Sequence, residues 1–144
     1  MRLPFLVSAL FVTACGEQDA SVATNQPPGA AAAQSATQTF AGQGRDRLCL
    51  DERGGRAGLI TYSERDANCS IRGAVQRTGE RITIAPDGDQ SCQVAGTVAG
   101  NRVRLGSRTP ECAYYCGPTA DFSGRSFRAA EGGPVTDLAG DPRC

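Results

Sequence analysis

The sequence contains no lysine, no histidine and no tryptophan, so all fifteen of its basic residues are arginine. Without histidine and lysine, the chain lacks an imidazole general base, a Schiff-base amine and a histidine metal ligand. Fifteen acidic residues balance the formal charge, and no long-range field therefore favours nucleic acid as a partner. We expect no enzymatic activity, no cofactor, no metal site and no nucleic-acid partner.

The first fifteen residues have the pattern of a secretory signal. Arg2 gives a positive start, and residues 3–14 form an uncharged, mostly apolar run. This run is shorter than the roughly twenty residues that span a bilayer, but it suits the apolar core of a signal peptide. It ends in Val12-Thr13-Ala14-Cys15, which resembles the lipobox of bacterial lipoproteins. The resemblance implies cleavage before Cys15 and attachment of acyl chains such as palmitate to that cysteine.

The segment after the lipobox has the composition of a tether. Residues 15–42 are rich in Ala, Gln, Thr, Ser, Pro and Gly, with Val22 and Phe40 as their large apolar residues. Such a segment buries too little surface to offset its ordering entropy, which predicts a flexible linker between the signal peptide (1–14) and a domain at residues 43–144. Gly16 follows the lipidated cysteine. By analogy with other lipoproteins, this residue favours the outer membrane, with the domain facing the periplasm.

Four segments within residues 43–144 alternate between apolar and polar residues with period two. This alternation is typical of half-buried antiparallel strands, and Gly, Asp and Asn residues between the segments indicate tight turns. Two shorter apolar segments, 48–50 and 59–62, predict further strands. We therefore predict an all-β domain, a small antiparallel up-and-down sheet or half-barrel of about six to eight strands. The four alternating segments are residues 69–76, 81–85, 92–98 and 102–105.

Two of the predicted hairpins resemble each other. Each has the form Cys-x-(Ile/Val)-x-Gly-x-Val, a turn, and Arg-(Ile/Val)-x-(Ile/Leu), and the copies begin at Cys69 and Cys92. Two copies are too few for a solenoid or a propeller, so we expect successive hairpins of one sheet. The glycine of each first strand is expected on the inner face, where the sheet can bend or an aromatic ring such as Tyr62 or Phe122 can lie across it.

Six cysteines follow Cys15, which is far more than a cytosolic domain of this size usually carries. In an exported chain they predict three disulfide bonds, and the sequence leaves open which of the fifteen possible pairings is formed. The six are Cys49, Cys69, Cys92, Cys112, Cys116 and Cys144.

The most unusual segment encloses two adjacent tyrosines, Tyr114 and Tyr115, between Cys112 and Cys116. A redox pair of the thioredoxin type has two residues between its cysteines rather than three, and a zinc site needs further thiolates or histidines. We therefore favour two cysteines bridged elsewhere, with the tyrosines packed on the sheet. The alternative, a thiol redox or metal-binding protein, requires free thiols or an easily reduced bridge.

Arginines of the repeated hairpins form a second candidate binding surface beside the two tyrosines. Outward-facing arginines can meet an acidic partner or lipopolysaccharide phosphates, although interspersed acids favour an ordinary solvated face. The candidates for binding are Arg72, Arg81, Arg102 and Arg104, and Arg77 and Arg108 belong to the same set.

These features predict a membrane-anchored envelope lipoprotein with a non-catalytic binding or structural β domain. In outline the chain is similar to small lipidated β domains that inhibit host lysozymes, although that family's inhibitory loop cannot be placed here. The lipobox and the Cys-Ala-Tyr-Tyr-Cys-Gly-Pro stretch at residues 112–118 resemble small Gram-negative envelope lipoproteins of unestablished function. We expect the partners to be the membrane, through the lipid anchor, and a protein or glycan of the envelope.

Overall fold

The alternating segments fold as the strands of an antiparallel barrel. The structure, a computed structural model, describes residues 37–144, and its eight strands follow one another around the barrel in sequence order until β8 pairs with β1. Two 3-10 helices, Glu64–Asp66 and Pro110–Tyr115, lie between strands. The predicted all-β class and strand number are confirmed. The strands are β1 (Gln38–Ala41), β2 (Arg47–Asp51), β3 (Arg56–Tyr62), β4 (Asn68–Thr78), β5 (Arg81–Pro86), β6 (Val94–Ala99), β7 (Arg102–Arg108) and β8 (Ser126–Ala129).

The interior of the barrel is filled by apolar side chains, as expected for eight strands. Each strand contributes its inward-facing residues, and those of β4, β6 and β7 alternate with exposed or half-buried residues as the sequence predicts. Strand β5 alternates only up to Ile84, because Ala85 and Pro86 are both buried. Burial of these side chains is the main stabilising contribution to the fold. The largest fully buried side chains of this core are Phe40, Leu48, Leu50, Leu59, Ile71, Ile82, Ile84, Val94, Leu105, Phe122 and Phe127.

The repeated glycines bring neighbouring strands close together. A Cβ atom at Gly73 would lie 1.9 Å from the carbonyl oxygen of Ala85 in β5, which no larger residue could tolerate without backbone movement. At Gly96 the nearest atoms belong to Arg104 and to the side chain of Ile82. Both glycines lie on the inner face, as expected, and allow close packing of neighbouring strands. The nearest atoms at both positions belong to neighbouring strands and not to Tyr62 or Phe122, the rings offered as the alternative to a bend in the sheet.

The barrel begins earlier than the predicted boundary at residue 43. Strand β1 lies inside the segment predicted as a linker, and its Phe40 is fully buried. Phe40 pairs with Leu48 in β2 and with Ala129 in β8, so β1 closes the barrel. The predicted signal peptide, Cys15 as its predicted lipidation site and the rest of the predicted linker up to residue 36 lie outside the described residues.

The C-terminal segment covers the outer face of β2 and β3. Cys144 is bridged to Cys49, and Val135 packs with Cys49 and Ile60 in a second small apolar cluster. At Gly58 the chain passes so close that a Cβ atom would lie 2.3 Å from the carbonyl oxygen of Arg143. Within residues 37–144, no helix has the length and apolarity needed to cross a membrane.

Candidate functional site

Two disulfide bonds hold the segment at residues 110–116, which we name the tyrosine loop. Cys69 in β4 is bridged to Cys116, and Cys92, just before β6, is bridged to Cys112. Cys69 and Cys92 are the equivalent cysteines of the two repeated hairpins. The repeat therefore places both anchors at the same end of the barrel, and the tyrosine loop is fastened at its middle and at its end.

Tyr115 adds a third attachment. Its hydroxyl donates a hydrogen bond of 2.9 Å to Oδ2 of Asp89, whose other oxygen accepts the N–H of Ser91 at 2.9 Å. Hydrogen bonds from Ser91 and from Tyr115 lower the pKa of Asp89. Burial, and then the hydrogen bond to the Asp89 carboxylate, raise the pKa of Tyr115. The ring of Tyr115 packs against the barrel core.

Tyr114 has the opposite environment. Its side chain is 88% exposed, and its ring meets that of Tyr115 edge to face, with 5.3 Å between the ring centroids. The prediction that both tyrosines pack on the sheet is therefore correct for Tyr115 and wrong for Tyr114. The two tyrosines differ because they are adjacent in a 3-10 helix, and adjacent side chains of such a helix point in different directions.

The loop cysteines are not bonded to each other. Cys112 and Cys116 are bridged to different parts of the barrel, as the favoured interpretation predicts. A redox role for this pair therefore requires reduction of two separate disulfide bonds. Across the described part of the chain, no three cysteine or carboxylate side chains come together as metal ligands would.

Four arginines form a second feature, on the outer face of strands β5, β7 and β8. None of their guanidinium groups forms an ion pair or a hydrogen bond within residues 37–144. Strands β5 to β8 and β1 contain no acidic residue, and the flanking Glu80 and Glu131 form no ion pair with this group. We name this group the arginine surface. It consists of Arg81, Arg102, Arg104 and Arg128.

Two members of the arginine surface stand directly opposite each other. Arg102 in β7 is in register with Arg128 in β8. The N–H of Ala129 donates to the carbonyl oxygen of Asn101 at 2.7 Å, so the neighbouring Asn101–Ala129 pair is hydrogen-bonded. The Arg102–Arg128 pair is then of the non-hydrogen-bonded kind, in which Cα atoms lie about 4.5 Å apart and side chains are closest. Two like charges at this position destabilise the sheet.

Two surface grooves adjoin the arginine surface and share Arg104. One, of about 350 Å³, lies over β6 between Arg81 and Arg104, where Ala95, Thr97 and Ser107 provide small side chains. The other, of about 370 Å³, is lined by Arg102, Arg104 and Arg128 beside β1. The small outward residues of β6 therefore leave open space between the guanidinium groups of its two neighbours.

The remaining arginines of the predicted surface lie elsewhere. Arg77 pairs with Glu52, and Arg108 pairs with Asp121 at 2.8 Å. Arg72 lies beside Asp87, whose pKa is lowered mainly by its hydrogen bond from Arg56. The structure thus unites Arg81, Arg102 and Arg104, separates Arg72 from them, and adds Arg128.

The two features lie at opposite ends of the barrel. Arg81 and Arg102 begin strands β5 and β7, whereas the tyrosine loop follows the end of β7. The two candidate binding surfaces that the sequence predicts, the tyrosines and the arginines, are therefore at separate places on the barrel. Comparisons with protein-family models, with curated proteins and with solved structures found no match to this chain.

Proposed function

We propose that this chain is an exported, lipid-anchored protein that catalyses no reaction and binds a protein partner in the cell envelope through the tyrosine loop. The observation that carries the proposal is the contrast at Tyr114. This aromatic side chain is 88% exposed, yet the loop that presents it is bridged to the barrel by two disulfide bonds.

Exposed tyrosine on a fixed backbone is favourable for protein recognition. Tyrosine is among the residues that contribute most to binding energy at protein interfaces, because a large ring is buried when the partner closes over it. A loop that is already ordered loses little conformational entropy on binding. The Tyr115–Asp89 hydrogen bond fixes the loop further, so Tyr114 can act as a preorganised anchor residue.

Export and anchoring rest on independent support. The three disulfide bonds are typical of proteins that fold in an oxidising compartment such as the periplasm. The lipobox ending at Cys15 supports lipidation, and a diacylated or triacylated cysteine anchors a protein firmly. The lack of histidine and lysine supports a binding role rather than a catalytic one.

Site-specific photo-crosslinking tests the recognition role. A photoreactive amino acid is placed at position 114 of the full chain, in the cells that produce it naturally. Leu138 is the matched control, because it is also a large apolar side chain and is 62% exposed. We expect position 114 to give a discrete adduct with one envelope protein and position 138 to give none. The adduct from position 114 should be lost when Ala113 is also replaced by arginine. Equal labelling from both positions, or none from position 114, would contradict the proposal.

The intact mass of the protein tests export and anchoring. The protein is purified from membranes and alkylated without reduction. We expect the mass of residues 15–144 plus acyl chains, with no alkylated thiol, and loss of membrane association in Cys15→Ser. An unlipidated product would contradict the anchor, and alkylation of Cys112 and Cys116 would favour the redox or metal alternative.

A further inference from the structure

We infer that the arginine surface binds an anionic polysaccharide, a linear glycan that carries repeated carboxylate, phosphate or sulfate groups. The inference rests on four guanidinium groups that form no ion pair with the described residues, and on the two grooves that adjoin them. It does not depend on the tyrosine loop, which lies at the other end of the barrel.

The spacing of the arginines favours an extended ligand. Arg81 in β5 and Arg128 in β8 are three strand-to-strand steps apart, which is about 14 Å measured along the curved sheet. A guanidinium group contacts a carboxylate or phosphate oxygen at about 2.7–2.9 Å, so a single small anion cannot reach all four arginines. A polymer laid across β5, β6, β7 and β8 can meet each of them with a different anionic group.

The side chains around the arginines favour a glycan over nucleic acid and over a bilayer. Between the arginines lie Ala95, Thr97, Gly106, Ser107 and Ser126. This face therefore offers no exposed aromatic ring for stacking of nucleotide bases. It also offers no large exposed apolar residue that could enter a membrane interface, since Tyr114 and Leu138, the exposed ones within residues 37–144, lie elsewhere.

The Arg102–Arg128 pair supports a ligand role for this surface. Like charges in direct register destabilise the free barrel, and neither strand supplies an acid to offset them. Local destabilisation that the rest of the fold does not offset is characteristic of functional positions. An anionic group seated between the two guanidinium groups would remove this repulsion.

Binding of two defined polyanions tests the inference. Fluorescently labelled dextran sulfate and polygalacturonate are titrated with the full chain at low salt, with uncharged dextran as the ligand control. The test variant is Arg102→Gln/Arg104→Gln. The matched control is Arg56→Gln/Arg77→Gln, which removes the same charge from exposed arginines that already have acidic partners, Asp87 and Glu52.

We expect the native chain to bind a charged polymer and not dextran, with affinity that falls as salt rises. One exposed ion contact accounts for roughly a two- to five-fold change in affinity. The test variant removes two such contacts and should therefore bind about ten-fold more weakly, whereas the affinity of the control variant should fall by less than about two-fold. Arg102→Gln alone should also raise the melting temperature of the free protein, and Tyr114→Ala should leave polymer binding unchanged.

Three outcomes would overturn the inference. One is equal weakening by both double variants, which would indicate a general charge effect. Another is no binding of either charged polymer at low salt. The third is stronger binding to vesicles of phosphatidylglycerol than to the polymers, lost in Arg102→Gln/Arg104→Gln, which would identify a bilayer as the occupant. A failed crosslink at position 114 would leave this inference standing.

Discussion

Replacing Phe40 with alanine should destabilise the barrel strongly, although the residue lies in a segment with the composition of a linker. Phe40 is fully buried, and it is one of two residues of β1 in register with β8, the other being Ala41. The seam that closes the barrel is therefore only two residue pairs long. Removal of the ring leaves a cavity at this seam, and such substitutions cost about 3–5 kcal/mol.

This cost is a large fraction of the stability of a small domain. Native domains are stable by about 5–15 kcal/mol in total. For a chain of about 100 residues, each kcal/mol lowers the melting temperature by roughly 4 °C or more, so Phe40→Ala should melt about 12–20 °C below the native protein. The three disulfide bonds remain in place, so the variant should still fold at low temperature.

Urea denaturation of the oxidised protein measures the effect, with Gln38→Ala as the matched control. Gln38 lies on the same strand but is exposed, and its substitution should change the free energy of unfolding by no more than about 0.5 kcal/mol. Equal unfolding midpoints for Phe40→Ala and Gln38→Ala would refute the reasoning, because they would mean that β1 contributes nothing to the core.

Two further predictions concern the C-terminal segment and the tyrosine loop. Gly58→Ala should lower the free energy of unfolding, measured with urea, by about 1–3 kcal/mol, because the new Cβ atom would lie 2.3 Å from the carbonyl oxygen of Arg143. The control Gly106→Ala meets its nearest atom at 3.7 Å and should be nearly neutral. Equal midpoints would show that the segment does not pack as described. The pKa of Asp89 is lowered in the folded state, so its contribution to stability is present above about pH 4 and is lost as the pH falls through the folded value. Near-ultraviolet circular dichroism reports on tyrosine in this chain without overlap from tryptophan. The tyrosine signal should therefore change in acid as the Tyr115–Asp89 hydrogen bond is lost, and Asp89→Asn should remove this pH-dependent change. An unchanged pH dependence in the variant would assign the change to another group.

The strands of the hairpins could be predicted because their signals are local. Period-two alternation and turn residues such as Gly100, whose φ is 56°, lie within a few positions of the strands that they define. Strand β1 could not be predicted in this way. It has four residues and a single large apolar side chain, and its value to the fold depends on pairing with β8, about ninety positions away.

The candidate sites depended on register, which composition does not encode. The alternation identifies Arg81, Arg102 and Arg104 as outward-facing, but only the pairing of β7 with β8 places Arg128 opposite Arg102. The same limit applied to the cysteines, since their six positions predict three bridges without pairing them. One feature of the sequence does indicate the arginine surface. Strands β5 to β8 contain no acidic residue that could pair with their arginines.

The duplicated hairpin links the two surfaces. In each copy the first strand begins near a cysteine and the second strand begins with an arginine, so an up-and-down arrangement sends the cysteines to one end of the barrel and the arginines to the other. Cys69 and Cys92 can then anchor one loop, while Arg81 and Arg104 flank the small residues of β6. One repeated pattern thus fastens the tyrosine loop at one end of the barrel and places the arginine surface toward the other end.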